Sequence, residues 1–288
     1  MIRWQIQSCC ASLLTLALCV GCQRLVPNER AASAPLKGAA GAALMPFIQG
    51  AVKEFGLQNA AVRTEITEAR SSVAIQKLVE GEIALAFISR PLRAADLAQG
   101  NAKGKQLHMV VIAAEAVVII VHPDNPISDI SVDELRDVFF SGKIRDWASL
   151  TDGKKQGPIH VLAVNPKTSG TGEMFVSTIA GDDKPRYVPE AIMVDYSDAT
   201  VAQVAADRDA ISFSGMGNVG GTVKAVTLND VAPTEKAILD TSYVLNRKLY
   251  AITDGPPKGS GREFVKFLLS ETGQGVARAT GSTPIVLD

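Results

Sequence analysis

The residues best suited to chemistry lie where an apolar run gives way to a helical pattern. Val164-Asn165-Pro166-Lys167-Thr168-Ser169-Gly170-Thr171-Gly172 stands between a strand-like run and a helical pattern carrying Met174, Phe175 and Ile179. Hydroxyls and glycines at a helix start leave backbone N–H groups unsatisfied at the positive end of the helix dipole, which makes a seat for a small oxyanion. The competing reading is that Thr168 or Ser169 only caps the helix. A second junction, Glu68-Ala69-Arg70-Ser71-Ser72, precedes a helical pattern that reaches Val79 and stops at Gly81. Its serines could cap or donate to a ligand, and Arg70 adds a planar fork that matches a tetrahedral oxyanion. A third, Gly38-Ala39-Ala40-Gly41-Ala42-Ala43 before Leu44, allows close backbone approach but brings no side-chain donor.

Other chemistries lack their residues. Gly215-Met216-Gly217-Asn218-Val219-Gly220 matches the dinucleotide fingerprint, yet Thr222 to Thr227 is β-branched where that fingerprint must open a helix, so it is rejected. No Gly-x-Ser-x-Gly occurs, and His122 and His160 have no context that would activate a serine, so the sequence points to no enzyme. The four cysteines (Cys9, Cys10, Cys19, Cys22) lie in the first 22 residues and there are three histidines, so neither a disulfide framework nor a zinc site is expected in the folded part, and no cofactor is called for. With 29 basic against 30 acidic side chains there is no steering toward nucleic acid.

The elements that position these junctions read as α/β. Strands are expected over Val62–Thr67, Ile83–Ser89, Met109–Val121, Ile159–Val164, Ala210–Ser214 and Lys248–Thr253, alternating with helices in the pattern of a parallel sheet covered on both faces. Pro46–Phe55 puts Phe47, Ile48, Ala51, Val52 and Phe55 on one helical face. Ser131 and Glu134 have capping-box spacing and open a helix through Phe140, stopped near Gly142; Gly261–Ser270 is a last helix with Gly273 as its stop. The 288 residues permit two lobes of ordinary domain size. At the amino terminus Arg3 precedes an apolar run from Cys9 to Gly21, shorter than the roughly 20 residues of a membrane span and suited to a signal peptide over residues 1–21. The run ends Leu18-Cys19-Val20-Gly21-Cys22, which resembles the lipobox of bacterial lipoproteins, with Cys19 where that pattern prefers Leu. Cys22 is thus the expected lipidation site, and residues 22–35 read as a tether.

Taken together, the segments from about 36 to 287 resemble the phosphate-binding proteins of ATP-binding-cassette (ABC) importers, in the type 2 periplasmic binding-protein class. The most specific stretch is Val138-Phe139-Phe140-Ser141-Gly142-Lys143-Ile144-Arg145-Asp146-Trp147, followed by Thr168-Ser169-Gly170-Thr171. Ile88-Ser89-Arg90-Pro91-Leu92, His122-Pro123-Asp124-Asn125-Pro126, Asn246-Arg247-Lys248-Leu249-Tyr250 and Phe267 to Gln274 add to the likeness.

The resemblance implies a two-lobe fold with residues 36–116 and 225–288 in one lobe and 117–224 in the other. The ligand, inorganic phosphate or a similar oxyanion, would lie in the inter-lobe cleft, and the partners would be ABC importer membrane subunits. Arg70, Ser71, Ser72, Ser89, Arg90, Ser169, Gly170 and Thr171 are the expected ligand contacts. The membrane would be met by the lipid anchor only, in the periplasm or cell envelope. The chain departs from the family at the arginine and acidic residue that precede Ser-Gly-Thr, which are here Asn165 and Lys167, and at a loop threonine, here Ala43, although the Leu44 N–H could still donate. Where some members have an aspartate that accepts a proton from phosphate, this chain has Arg90. The alternative is a lipoprotein of the same fold with a sensory or protein-interaction role and no transport ligand.

Overall fold

The structure, a computed structural model, describes residues 34–181 and 186–285. The expected signal peptide, Cys22 and nearly all of the tether lie outside the described residues. The chain runs β1 (Leu36–Ala40), α1 (Met45–Gln58), β2 (Thr64–Glu68), α2 (Ser71–Glu80), β3 (Leu85–Ile88), α3 (Ala94–Ala102) and the fifteen-residue β4 (Leu107–Val121). It continues through β5 (Asp129–Ile130), α4 (Val132–Arg136), β6 (His160–Val164), α5 (Gly170–Ile179), β7 (Ile192–Val194), α6 (Ala199–Ala206), β8 (Ala210–Gly215) and β9 (Lys224–Leu228). The last elements are α7 (Glu235–Leu239), β10 (Asn246–Asp254), α8 (Gly259–Leu269) and α9 (Glu271–Ala279).

The strands form one continuous path, β2-β1-β3-β10-β4-β8-β6-β7, with β9 on β4 and β5 on β9. It is α/β as expected, but the sheet is mixed. β1, β2 and β3 are parallel, as are β6, β7 and β8, whereas β10 is antiparallel to β3 and β4, and β4 is antiparallel to β8 and β9. Apolar runs identify buried strands without giving their direction, and the two long strands enter the sheet reversed.

The length of β4 explains the two-lobe layout. At about 3.3 Å per residue a strand of this length spans roughly 50 Å, more than one lobe needs. Its first part, Leu107 to Ala116, pairs with β10, and its second, Val117 to Val121, with β8 and β9. The buried side chains sort accordingly. In the first lobe the faces of β1 and β3 alternate: Leu36, Ala40, Leu85 and Phe87 pack with Phe47, Phe55, Phe264 and Leu268, while Ala39, Ala86 and Ile88 pack with Ala74, Ile75 and Leu78 of α2. In the second, Val117 to Val121 join Phe139, Trp147, Phe175, Phe213, Ile238, Tyr243 and Leu245.

The local signals act as their chemistry dictates, with two exceptions. Ser131 Oγ accepts the Glu134 N–H at 3.1 Å and Glu134 reaches back to the Ser131 N–H at 2.8 Å, closing the capping box. Gly81 and Gly142 take left-handed φ values of 79° and 67°, where a side chain would be strained. The helix expected through Phe140 is α-helical only to Arg136 and continues as a π turn over Asp137–Ser141. Gly273 is not a stop: α8 ends at Leu269, and Ser270 caps α9 by accepting the Gly273 N–H at 3.2 Å.

Candidate functional site

Three helix starts open on one cleft of about 640 Å³ between the lobes. Gly41, Ala42, Ala43 and Met45, at the start of α1, and Glu68 to Ser72, at the start of α2, line it from the first lobe, and Lys167 to Thr171, at the start of α5, from the second. All eight expected ligand residues line this cleft. Their side chains differ in how far they are already engaged.

Ser71 and Ser72 cap nothing: α2 begins at Arg70 without a side-chain cap, so its first N–H groups and both hydroxyls are available. Arg70 is exposed at the cleft edge. Ser169 does cap, its Oγ accepting the N–H groups of Thr171 and Gly172 at 3.2 and 3.5 Å, which leaves its own proton to donate. Gly170, the first residue of α5, has an N–H with no intrahelical acceptor. Behind it Phe175 stacks on Phe213 with ring centroids 3.8 Å apart, which fixes the helix start relative to β8. Ser89 faces the same point from the other lobe: a Cβ on Gly170 would lie 3.4 Å from Ser89 Oγ.

Arg90 has its charge occupied. Its guanidinium donates to both carboxylate oxygens of Asp96, at 2.6 and 3.2 Å, and to the Pro91 carbonyl at 2.9 Å. Burial alone would push the Asp96 carboxyl up, but Arg90 and the Arg93 N–H outweigh it and hold the group below the ordinary carboxylate range. Asn165 shapes the loop, accepting the Lys167 N–H at 3.0 Å and donating to Asp195 at 3.2 Å. Thr168 donates to the Asp195 carbonyl at 3.0 Å, and the Leu44 N–H is taken by Gly41 at 2.9 Å.

The cation that sequence reasoning missed is Arg247. Among the described residues it is the one buried cation, 9% exposed, and it stands opposite Glu115 in the β4–β10 register. Its Nε and Nη2 donate to Glu115 Oε2 at 2.9 and 2.8 Å, and Nη2 also donates to Thr171 Oγ1 at 3.2 Å. Its Nη1 donates to no described residue and would lie 3.6 Å from a Cβ on Gly170. A signal was present in the sequence: Glu115 is the single charge in the run Ile112 to Val121. A charge in a fully buried strand demands a partner.

A family model described as a PBP superfamily domain matches residues 26–272, most of the chain. The chain belongs to the PBP superfamily. Among curated relatives, the phosphate-binding protein PstS of Bacillus subtilis is 28% identical over 249 residues, covering 85% of this chain and 78% of the relative. The protein of that name from Pseudomonas aeruginosa is 28% identical over 246 residues, covering 78% and 75%. In fold, the chain resembles a substrate-binding protein from Clostridium perfringens solved with bound phosphate, with a TM-score of 0.75 at 24% identity, covering 87% of this chain and all of the other. An ABC-type phosphate transport receptor from Vibrio cholerae gives 0.71 at 21%, with the same coverage. Two lobes joined by long strands around a cleft are the fold of this superfamily.

Proposed function

We propose that this chain captures inorganic phosphate in the inter-lobe cleft and delivers it to the membrane subunits of an ABC importer. The observation that carries this reading is the convergence of three helix starts on one cleft, with Arg247 behind its α5 wall, bonded to Thr171 and with Nη1 3.6 Å from where a Cβ on Gly170 would stand. Ser71, Ser72, Ser89, Ser169, Gly170 and Thr171 contact the anion, with Arg247 as the main cation, Arg70 as an outer one and Arg90 holding the cleft wall through Asp96. The curated relatives named for phosphate support the choice of anion. Capture involves no covalent step: the site offers donors and a cation, and binding draws the lobes together. The lobes meet at residues 116/117 on the outward crossing. On the return, the packing of Val226, Leu228, Ile238, Tyr243 and Leu245 with the second lobe favours a crossing near Arg247 rather than near 225.

Isothermal calorimetry with phosphate and with a neutral sugar tests the reading. Phosphate is expected to bind at micromolar or tighter Kd, and scattering should report a smaller radius of gyration at saturation. Absence of heat and of compaction with phosphate would favour the sensory or protein-interaction reading.

The protein works at the cell envelope, held by a lipid on Cys22. Among the described residues no helix is long and apolar enough to cross a membrane, so Cys22→Ser should release the protein from the membrane fraction. Retention of that variant after a high-salt wash would refute the anchor.

A further inference from the structure

The cleft is larger than a small oxyanion needs. It keeps about 640 Å³ although its walls already meet: Gly217 and Gly281 lie so close that neither has room for a Cβ, and Arg93 pairs with Glu173 across the gap. Pockets of roughly 300–1,000 Å³ bury organic ligands. The lining also runs past the helix starts. Gln49 stands one turn beyond Met45, so the cleft follows α1 for about 6 Å more, and the unsatisfied N–H groups that seat an anion end before it. Four exposed side chains of the lining are left out of the anion reading. Gln49 and Glu68 from the first lobe and Tyr196 from the second make no side-chain hydrogen bond to a described residue, and Asn218 donates to Ser214 Oγ at 3.3 Å while its carbonyl oxygen accepts none. A carboxylate, two amides and a phenol suit hydroxyl groups: the carboxylate accepts, the amides donate and accept, and the ring covers C–H surface.

We propose that the cleft also accepts phosphate as the monoester of a small polyhydroxylated alcohol, a sugar phosphate, with the phosphoryl group on the helix starts and the hydroxyls against Gln49, Glu68, Tyr196 and Asn218. This rests on the phosphate-capture reading and widens its ligand class. A monoester keeps three acceptor oxygens and nearly two negative charges at pH 7, so it engages the same N–H groups and the same cation as phosphate does. Its fourth oxygen carries the alcohol and must leave the seat through open space, which the cleft along α1 supplies. The loop before α1 adds to that space: Ala43 lines the cleft where the family carries a threonine. Tyr196 is 54% exposed, an unusual exposure for an aromatic ring, and a sugar face lying on it would cover it. Glu68 would oppose a bare anion, whereas a hydroxyl between the two turns it into an acceptor.

The test is calorimetry at pH 7 with phosphate, glucose 6-phosphate and glucose. The parent protein should bind glucose 6-phosphate with a Kd within about tenfold of that for phosphate, and glucose should give no heat. The double variant Gln49→Ala with Tyr196→Ala should lower the ratio of glucose 6-phosphate affinity to phosphate affinity by at least about tenfold. Both side chains are exposed, so its melting temperature should match the parent's. A parent that binds phosphate but takes glucose 6-phosphate more than about tenfold more weakly overturns the inference while phosphate capture stands. So does a parent that binds glucose as tightly as its phosphate ester, or a double variant that keeps the parent ratio. A parent that binds neither phosphate nor the ester overturns the capture reading itself, and this inference with it.

Discussion

Arg247→Ala should abolish measurable phosphate binding and lower the melting temperature, because one side chain serves both the anion and a buried carboxylate. Each charge-assisted hydrogen bond contributes about 1.5–3 kcal/mol, and its removal also leaves Glu115 as an uncompensated negative charge facing the anion. Breaking a buried ion pair from one side costs about 3–5 kcal/mol of stability. The expected loss in affinity is therefore at least about a thousandfold, each tenfold step corresponding to about 1.4 kcal/mol. Two further variants separate binding from folding. Arg247→Lys keeps the charge without the fork that spans Glu115 and Thr171, and should fold while binding about ten- to a hundredfold more weakly. Replacing the pair together, Glu115→Met with Arg247→Met, should leave stability unchanged or raise it by about 1–4 kcal/mol while binding stays lost. Arg70→Ala should do less than any of these, since Arg70 is solvent-exposed and its interaction with an anion is screened. Calorimetry and denaturant melts on the same preparations decide the matter. Phosphate affinity of Arg247→Ala within threefold of the parent would remove Arg247 from the site, and a larger loss in Arg70→Ala would move the cation to the rim.

The two halves of the site differ in how readable they were. Ser71, Ser72, Ser169, Gly170 and Thr171 announce themselves locally, because a polar, glycine-bearing junction before a helical period is a short-range signal. Even there the sequence left open whether serines cap or donate, and the structure divides them: Ser169 caps and the α2 serines do not. Arg247 and Glu115 belong to a different kind of signal. Glu115 is a charge within an apolar run and Arg247 sits in the polar start Asn246-Arg247-Lys248 of its strand, and their pairing depends on the antiparallel register of strands whose paired residues stand 132 positions apart. Nothing local specifies that register, and the expectation of a parallel sheet pointed away from it. β1 escaped notice for a related reason. Leu36 to Ala40 is rich in glycine and alanine and reads as a loop, yet Gly38 is small because Ile66 and the Leu85 carbonyl press on it, at 2.7 and 3.0 Å from where a Cβ would stand. Tight packing selects against the β-branched residues by which a strand is usually recognised.

That kind of close approach also governs closure of the cleft, and Gly281→Ala should hold it open. Gly281 follows α9 in the first lobe and Gly217 follows β8 in the second, and both line the cleft. A Cβ on Gly281 would fall 2.1 Å from the Gly217 Cα and 2.8 Å from its nitrogen, while one on Gly217 would fall 2.7 Å from the Thr280 carbonyl. The obstructing atoms are backbone on both sides, so no rotamer change relieves the clash and the walls must separate. Other contacts join the lobes here, the Arg93–Glu173 ion pair and Arg278 Nε to Glu235 Oε1 at 2.7 Å, but both are exposed and worth little on their own. They do not offset a backbone collision. The φ of +81° adds about 1 kcal/mol of strain for any residue with a Cβ. A control isolates that contribution: Gly255 has φ +66° with open space around it, so Gly255→Ala meets the backbone strain without the clash and should bind phosphate as the parent does. An anion that bonds to Ser71 and Ser72 on one wall and to Gly170 and Thr171 on the other gains its full affinity only when the walls meet. The expected result for Gly281→Ala is thus at least a tenfold rise in Kd, with a radius of gyration at saturating phosphate that stays near the ligand-free value. If scattering shows the variant compacting like the parent at equal affinity, the Gly217–Gly281 contact is not what the lobes close onto, and closure must be limited at the α5–Ser89 face instead.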